Sequence, residues 1–552
     1  MMLRLDARPR FWVWLIPCLT VIAIWMVVAE TAIRPTSLIL ESTPMLNRFA
    51  WWLLPPMLLI ASLFTGQWVL ASSRLNAAEA LQQQQAEEEA AQKAQAAQAV
   101  TDAKAHQQFA LEIRSVGVTV DRFRQMKLWQ RIDEINNPWQ NVLIQDPEAY
   151  PWSWEERGTI MTQRTNKTFE NALRLWVERW PIPVLVTDGI GWGNNHILQA
   201  QNGSGLAIHM FTGLDSHKGD GGDVLVERLF RFFDENPTLP AAVLLGVDSQ
   251  AFYPKASKNG KSIPSMPDSM SAILVTRTDR VNQFIRPYVV DVPYNINIDD
   301  TKYDVIKLSK YFFDMEYAYK AANKGQQVMP TTYWNEQTKT LIGQVDPNAG
   351  QGGMIPFWHQ GKEGFKPTPW VPVRWTKWQL EDEYDRAPLV GYLHRPIEVK
   401  LNGDIHQQTQ AMANGWKAAL ATLPDGQAPQ WLFYDTGGND KRVIPFSSAM
   451  ALADTPHRLD FSDAKHSYNL TRRVADTGAS SPFIQLALAT MRSYDKGGVS
   501  ATVNLRQDGR ASIIMVSPPS AVEKAKNKPN DYNGGPAPDL SKPYDPFVEK
   551  RL

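Results

Sequence analysis

The sequence predicts an α/β fold, and the pattern of residues 138–517 carries this prediction. Short runs rich in β-branched and aromatic residues alternate with amphipathic stretches, as strands alternate with helices in this class. The order strand, helix, strand occurs once in each half, which indicates an internal duplication over 138–388 and 389–517. The predicted strands cover 183–187, 241–247, 272–278, 431–435, 499–505 and 511–516. The predicted helices cover 167–180, 223–235, 301–322, 405–422 and 481–493.

Two apolar segments precede this body, and both are long enough to cross a bilayer as helices. The first covers 11–29 (FWVWLIPCLTVIAIWMVVA) and the second covers 50–71 (AWWLLPPMLLIASLFTGQWVLA). A cleaved signal peptide is the alternative for the first segment. However, Pro17 stands where a small residue should precede Cys18, and the apolar run continues beyond it. We therefore predict an uncleaved membrane anchor over residues 1–72.

Arginines around the two segments predict the membrane side of the body. Arg4, Arg8 and Arg10 precede the first segment, whereas Arg34 and Arg48 lie in the loop between the two. Basic residues accumulate on the cytoplasmic side of membranes, so this bias favours a cytoplasmic N-terminus. Two spans return the chain to the side where it began. We therefore expect an inner-membrane protein whose main domain lies in the cytoplasm.

Low-complexity sequence flanks the predicted body on both sides. Residues 73–137 are predicted to be an Ala/Gln/Glu-rich helical spacer, because 75–110 contains strong helix formers and almost no large apolar side chains. As a helix that stretch would reach about 54 Å. A flexible linker is the alternative. The tail over 518–552 is rich in proline, glycine and asparagine, which predicts disorder.

Four stretches of the body resemble the β-ketoacyl synthases. VLVTDGIGWGNN (184–195) is similar to their opening strand and turn, and 223–249 is similar to a helix and a strand ending in Gly-Val-Asp-Ser. Residues 410–442 resemble the first helix and strand of the second half, and VADTGASSPFIQLALATM (474–491) resembles the closing Gly-Ala turn and helix. The resemblance implies a thiolase-like, duplicated body with α/β/α layers.

The groups that perform condensation are missing from the matching positions. Such synthases need a cysteine at a helix N-terminus and two histidines that polarise the thioester carbonyl. The stretch LDSHKGDGGD (214–223), before the first of these helices, contains no cysteine. Asp435 and Thr436 stand where the first histidine would lie, and Ala475 and Asp476 stand where the second would lie. We therefore expect no condensation chemistry.

Other catalytic and ligand-binding patterns also fail in detail. Cys18 is the only cysteine, which excludes a disulfide framework and a cysteine-ligated zinc site. GASSP (478–482) departs from the serine-hydrolase pattern, and NGKS (259–262) lacks the first glycine of a phosphate-binding loop. Basic and acidic residues balance at 57 each, so nucleic acid is not an expected partner. We expect no metal, no cofactor and no enzymatic activity.

Aromatic side chains supply candidate partner-binding residues instead. The stretch 352–388 combines four tryptophans with five prolines, and AYPWSWEER (149–157) forms a second aromatic cluster. Tryptophan is enriched in binding hot spots, and rigid loops lower the entropic cost of binding. The alternative is that these side chains cover the junction between the two halves. The candidates are Trp152, Trp154, Trp358, Trp370, Trp375 and Trp378.

The layout as a whole resembles the type VI lipase-adapter family of Gram-negative bacteria. The features are the two-span anchor, the Ala/Gln-rich spacer, YPWSWEERG (150–158), VERWPIPVLVTDGIGWGNN (177–195) and the Trp/Pro-rich middle. The resemblance implies a non-enzymatic adapter or chaperone. Such a protein would bind a lipase-like toxin effector and help to load it onto the secretion spike protein. A membrane-anchored immunity protein that neutralises a toxin, and an acyl transferase related to the condensing enzymes, are the alternatives.

Overall fold

The chain divides into two compact units, Met1–Ala105 and His106–Leu552. We describe them from a computed structural model, each unit by itself. The described residues are 5–29, 31, 45–174, 176–189, 197–198, 206, 209–218, 221–249, 254–256, 262–264, 266–294, 297, 299–300, 303–323, 328–343, 364–424, 427–452, 459–527 and 545–547.

The first unit contains two helices, α1 (Phe11–Val28) and α2 (Met45–Gln107), of which the last two residues of α2 belong to the second unit. By length and composition, one helix of the described chain, Leu53–Gln107, is long and apolar enough to cross a membrane, and Trp12–Val28 is a shorter apolar helix. Helix α2 continues without a break through Pro55 and Pro56 into the Ala/Gln/Glu-rich stretch, whose side chains are exposed.

The second unit is an α/β body. Its strands are β1 (Ala110–Val120), β2 (Phe123–Arg124), β3 (Pro181–Asp188), β4 (Met210–Lys218), β5 (Ala241–Asp248), β6 (Pro254–Ala256), β7 (Ser262–Pro264), β8 (Ser269–Thr276), β9 (Gly391–His394), β10 (Ile397–Lys400), β11 (Pro429–Asp435), β12 (Ser467–Asn469), β13 (Val499–Asn504) and β14 (Arg510–Ser517). Its helices are α3 (Gln125–Glu134), α4 (Trp154–Leu173), α5 (Val224–Glu235), α6 (Asp304–Ala322), α7 (Thr331–Gly343), α8 (Ile405–Leu420), α9 (Ile444–Leu452), α10 (Leu470–Val474), α11 (Ser481–Lys496) and α12 (Ala521–Lys526). A short helical segment over Thr278–Arg280 continues as a π turn to Ile285.

One mixed sheet contains two copies of the same five-strand arrangement. The first half has the order β4-β3-β5-β8-β1, and the second half has the order β12-β11-β13-β14-β10. When the five strands of each half are numbered by their position along the chain, both orders read third, second, fourth, fifth, first. In each half the fifth strand runs antiparallel to its two neighbours, whereas the second strand is parallel to the third and the fourth. The predicted α/β class and internal duplication are therefore confirmed, in a thiolase-like arrangement.

The two halves join where β1 pairs antiparallel with β9. Ala110 lies opposite His394, and Ile113 lies opposite Gly391. Strands β9 and β10 both pair with β14 and are separated only by Arg395 and Pro396. Because proline has no N–H to donate, the ladder is interrupted at this point. The two half-sheets thereby form one continuous sheet.

Helix α11 is the central helix of the body. Every residue from Ser481 to Tyr494 is buried, and the helix packs on β5 and β8 of the first half and on β11, β13 and β14 of the second. Small residues such as Ala487 and Ala489 allow this close approach on several sides. At Gly246 in β5, a Cβ atom would lie 2.5 Å from the ring of Phe483. The hydrophobic core therefore runs through both halves.

Equivalent helix–sheet contacts in the two halves use glycine on opposite partners. In the first half α4 covers β1, and a Cβ at Gly117 of the strand would lie 1.8 Å from the carbonyl oxygen of Thr168. In the second half α8 covers β10, and a Cβ at Gly415 of the helix would lie 2.3 Å from Val399. Each half thus needs one residue without a side chain at this contact.

Two predicted domain boundaries are wrong. The predicted spacer extends to residue 137, but β1 pairs with β8 and β9 in the middle of the sheet, and α3 packs on it. The predicted disordered tail begins at residue 518, but α12 begins with a capping box between Ser520 and Glu523. Tyr392 donates a hydrogen bond of 2.6 Å to Glu523, which fixes this helix against the sheet. Further on, Phe547 is buried against Tyr494.

His394 should make the stability of the body depend on pH. Its Nδ1 lies 3.0 Å from the carbonyl oxygen of Thr422, and its Nε2 lies 2.8 Å from Oγ of Ser517. Burial lowers the pKa of His394 to about 4, from about 6.5 in an unfolded chain. Because the folded state favours neutral imidazole, this stabilisation is complete above pH 6.5 and is lost as the pH falls towards 4.

We therefore expect the contribution of His394 to the free energy of unfolding to fall between pH 6.5 and 4, by up to about 1.4 kcal/mol per pH unit. His394→Gln should show a smaller decline in urea unfolding. Burial also lowers the pKa of His209 to about 4, so the variant should retain part of the pH dependence. Equal slopes for the parent and the variant would contradict the assignment to His394.

Candidate functional site

The candidate site lies at the carboxyl ends of β5 and β11, where both strands meet the turn before α11. This turn covers residues 475–480, and it contains two positive φ angles, 63° at Ala475 and 54° at Gly478. A non-glycine residue in this conformation is strained, so the surrounding contacts must hold it in place. Functional groups in open α/β sheets gather at this edge.

A buried ion pair occupies the second-half side of the site. Nη1 of Arg506 lies 3.0 Å from Oδ2 of Asp435, and the two side chains are 3% and 0% exposed. Asp435 also accepts hydrogen bonds from the hydroxyls of Thr471 and Ser481, and from the Gly437 backbone N–H at 2.9 Å. The carboxylate that stands at the first expected histidine position is therefore fully engaged.

The same arginine fixes the turn. Nη2 of Arg506 lies 2.8 Å from Oδ1 of Asp476, and this oxygen accepts a hydrogen bond of 2.9 Å from the Gly478 N–H. Since Arg506 follows β13 and Asp435 ends β11, one guanidinium connects two strand ends to the turn. Asp476, at the second expected histidine position, thus has a structural role in these contacts.

Asp248 fixes the turn from the first half. It accepts hydrogen bonds of 2.7 Å from the Ala479 N–H and from the Ser249 N–H. A Cβ at Gly478 would lie 2.0 Å from Oδ2 of Asp248, so close packing and the positive φ both require glycine there. Oγ of Ser269 lies 2.6 Å from Oγ of Ser480. Both halves therefore hold the start of α11.

The structure brings the third expected catalytic position to the same turn. A Cβ at Gly222, just before α5, would lie 2.8 Å from the carbonyl oxygen of Ala479. The adjacent Asp223 pairs with Arg510 of β14 at 3.2 Å. The three positions predicted from the resemblance thus converge at one point. Carboxylates bound to arginine and to backbone N–H groups occupy them, together with small residues.

Metal binding has no support in the part of the chain that the structure describes. No group of three or more His, Cys, Asp or Glu residues there is placed to hold a metal ion. The stretch 215–223 forms the end of β4 and the approach to α5, while residues 219–220 lie outside the described residues. Residues 190–195 and 259–261 also lie outside them.

The structure corrects the prediction of a tryptophan surface. Trp370, Trp375 and Trp378 are only 2%, 0% and 6% exposed, so their rings are not available to a partner in this conformation. Trp375 packs on Trp180 with ring centroids 5.4 Å apart. Trp370 packs on Phe232 of α5 at 5.6 Å, so these rings extend the core of the first half. Trp358 lies outside the described residues.

The second aromatic cluster is partly anchored. The Tyr150 hydroxyl donates a hydrogen bond of 2.5 Å to Asp121, and burial raises the pKa of that carboxyl. Trp152 is half-buried, and the guanidinium of Arg164 lies 4.5 Å from its ring centroid. Trp154 begins α4, and its side chain lies outside the described part. Of this cluster, Trp152 presents a partly exposed ring.

Sequence reasoning missed Trp139, the most exposed tryptophan among the described side chains of the body. Trp139 is 67% exposed, and the guanidinium carbon of Arg472 lies 3.3 Å from its ring centroid. Arg472 also pairs with Asp440, just beyond β11. The one signal in the sequence is the turn-forming Asn137-Pro138 before the tryptophan, which is typical of an exposed loop.

Removing the buried charge of Asp435 should strongly destabilise the body. Asp435→Asn leaves the Arg506 guanidinium without its main counter-charge, and breaking a buried pair costs about 3–5 kcal/mol. The double variant Asp435→Asn, Arg506→Met should recover part of this loss. The matched control is Asp508→Asn, because Asp508 is 86% exposed in its pair with Arg442. That change should cost less than about 1 kcal/mol. Urea unfolding measures all three, and an undiminished midpoint for Asp435→Asn would contradict this role.

Comparison with known proteins identifies the family. The sequence matches the family models described as "Type VI lipase adapter protein Tla3, N-terminal" over residues 109–267 and "Type VI lipase adapter protein Tla3, C-terminal" over residues 390–518.

Similar solved structures include a ketosynthase domain (KS8) for oxazolomycin from Streptomyces albus JA3453. It has 7% sequence identity and a TM-score of 0.36, and the match covers 75% of this chain and 96% of that chain. The peroxisomal 3-ketoacyl-CoA thiolase of Saccharomyces cerevisiae has 8% identity, coverages of 74% and 98%, and a TM-score of 0.34. The 3-oxoacyl-(acyl carrier protein) synthase III of Pseudomonas aeruginosa PAO1 has 9% identity, coverages of 75% and 99%, and a TM-score of 0.32.

The two family models together cover more than half of the sequence. The chain therefore belongs to the type VI lipase adapter protein family.

Proposed function

We propose that this protein is a non-enzymatic adapter that binds a lipase-like effector of a type VI secretion system and helps to load it onto the secretion spike protein. Membership of the adapter family supports the effector as the partner. The observation that carries the non-enzymatic part is the buried pair of Asp435 and Arg506 at the centre of the candidate site.

The chemistry of this centre supports recognition rather than catalysis. A nucleophile needs a neighbouring base or a lowered pKa, and its reacting atom must be accessible to substrate. The Ser481 hydroxyl is instead buried and donates to Asp435, while Ser480 donates to the Thr477 carbonyl oxygen at 2.7 Å. These contacts stabilise the turn and leave the hydroxyls engaged in the fold.

We also propose that α1 and α2 both cross the inner membrane and that the body lies in the cytoplasm. The apolar character of both helices supports the two spans. The arginines before α1, at positions 4, 8 and 10, support the cytoplasmic side. A cytoplasmic body would meet an effector before its export.

The adapter proposal predicts capture of an effector without turnover. The tagged full-length protein, solubilised in detergent, should co-purify a lipase-like protein and a spike protein from cells that contain the secretion system. The control is the tagged first unit (1–105), which should capture neither. Incubation with acyl-coenzyme A should give no covalent acylation by intact-mass spectrometry. Failure to capture a lipase would reject the adapter, and steady acylation would reject the non-enzymatic assignment.

Reporter fusions test the topology. Alkaline phosphatase joined after residue 105 should be inactive, because this enzyme folds only outside the cytoplasm, where its disulfides form. The matched fusion after residue 38, between the two apolar segments, should be active. The opposite pair of results would place the body on the far side of the membrane and favour the immunity-protein alternative.

A further inference from the structure

Strand β10 presents an unpaired edge at the end of the second half-sheet. Its register with β14 places Ile397 opposite Ile513 and Val399 opposite Ala511. The Leu401 N–H donates to the Gly509 carbonyl oxygen at 2.8 Å, so alternate residues of β10 bond to β14. The N–H and C=O groups of Glu398 and Lys400 therefore point away from β14. Within the described residues, no strand pairs with β10 on that side.

The corresponding first strand of the other half has a covered edge. The side-chain amide of Gln125 bonds the Val118 N–H at 2.7 Å and the Val116 carbonyl oxygen at 2.9 Å. Gln125 adopts a φ of 52° to do so, and β2 covers the end of β1. The first half thus blocks its edge with a dedicated side chain, whereas β10 leaves an edge available for another strand.

The charges along β10 are complementary to those of a second β10. Glu398 and Lys400 are both exposed and lie on the same side of the strand, two residues apart. The contact of Glu398 with Nε of Arg510 at 3.2 Å leaves the glutamate side chain 40% exposed. Two antiparallel strands exchange backbone hydrogen bonds where residues whose N–H and C=O groups point towards the other strand lie directly opposite each other. In a pair of β10 strands, these residues are Glu398 and Lys400 of each copy. A two-fold axis through Val399 places Glu398 opposite the partner's Lys400, and Lys400 opposite the partner's Glu398. Axes through Glu398 or Lys400 instead place like charges opposite each other, which destabilises those registers.

We propose that β10 pairs antiparallel with β10 of a second copy of this chain, about a two-fold axis through Val399. The pairing forms four backbone hydrogen bonds and two cross-strand ion pairs, and it extends the sheet across both bodies. Such a short contact is weak in dilute solution. Anchoring both copies in one membrane raises their effective concentration, so this part of the proposal rests on the proposed anchor.

Zero-length cross-linking with carbodiimide tests the pairing on the full-length protein in membrane vesicles. The reagent joins a carboxylate to an amine in direct contact, so peptide mass spectrometry should find Glu398 joined to the partner's Lys400. Glu398→Lys and Lys400→Glu should each abolish this cross-link, because each variant removes one of the two reacting groups and also places like charges opposite each other. Co-expression of the two variants should restore the dimer, since the two lysines on β10 of one chain then face the two glutamates on β10 of the other.

Each outcome decides the proposal. A dimer yield that is unchanged by the single variants, or not restored by co-expression, overturns it. A link confined to the first unit overturns it as well, and so does a link from Lys400 to an effector peptide. Equal urea midpoints for the parent and the variants exclude misfolding as the cause. Dimers without lipase capture would reject the adapter alone, and lipase capture without dimers would reject this pairing alone.

Discussion

The buried pair of Asp435 and Arg506 is the interaction on which the arrangement of the body depends. Removing two charges from water is costly, and the cost is offset only when every remaining bonding position is filled. The structure fills them with the hydroxyls of Thr471 and Ser481 and with Asp476. Those partners lie in α10, at the start of α11 and in the turn between them, so the pair also determines where the central helix begins.

The duplication explains why one helix can serve both halves, and the differences between the halves show where each has specialised. The strand orders are identical, but the close helix contact uses Gly117 of a strand in one half and Gly415 of a helix in the other. The first half closes its outer edge with Gln125, whereas β10 of the second half has no such side chain against it among the described residues. The two halves therefore share a strand order but differ in how the first strand packs on its helix and in how its outer edge is covered.

Sequence patterns predict well the strands that form long, fully buried apolar runs. The apolar runs of β5 and β13 are buried on both faces, and their predicted bounds agree with the structure within one or two residues. Strand β1 is missed because it begins with alternating exposure directly after the Ala/Gln-rich stretch. At the site, the missing thiol and imidazoles are visible in the sequence. The partner that fills their place, Arg506, lies 71 residues from Asp435, and only folding brings the two together.

The central site of the body is filled by the body's own side chains. The turn before α11 is occupied by ion pairs, and three of the candidate tryptophans are in the core. However, the same elements reach the surface: Arg472 of α10 lies over the exposed ring of Trp139 and pairs with Asp440, beyond the end of β11. An exposed aromatic and charged surface therefore lies at this end of the body, formed by Trp139, Arg472 and Asp440.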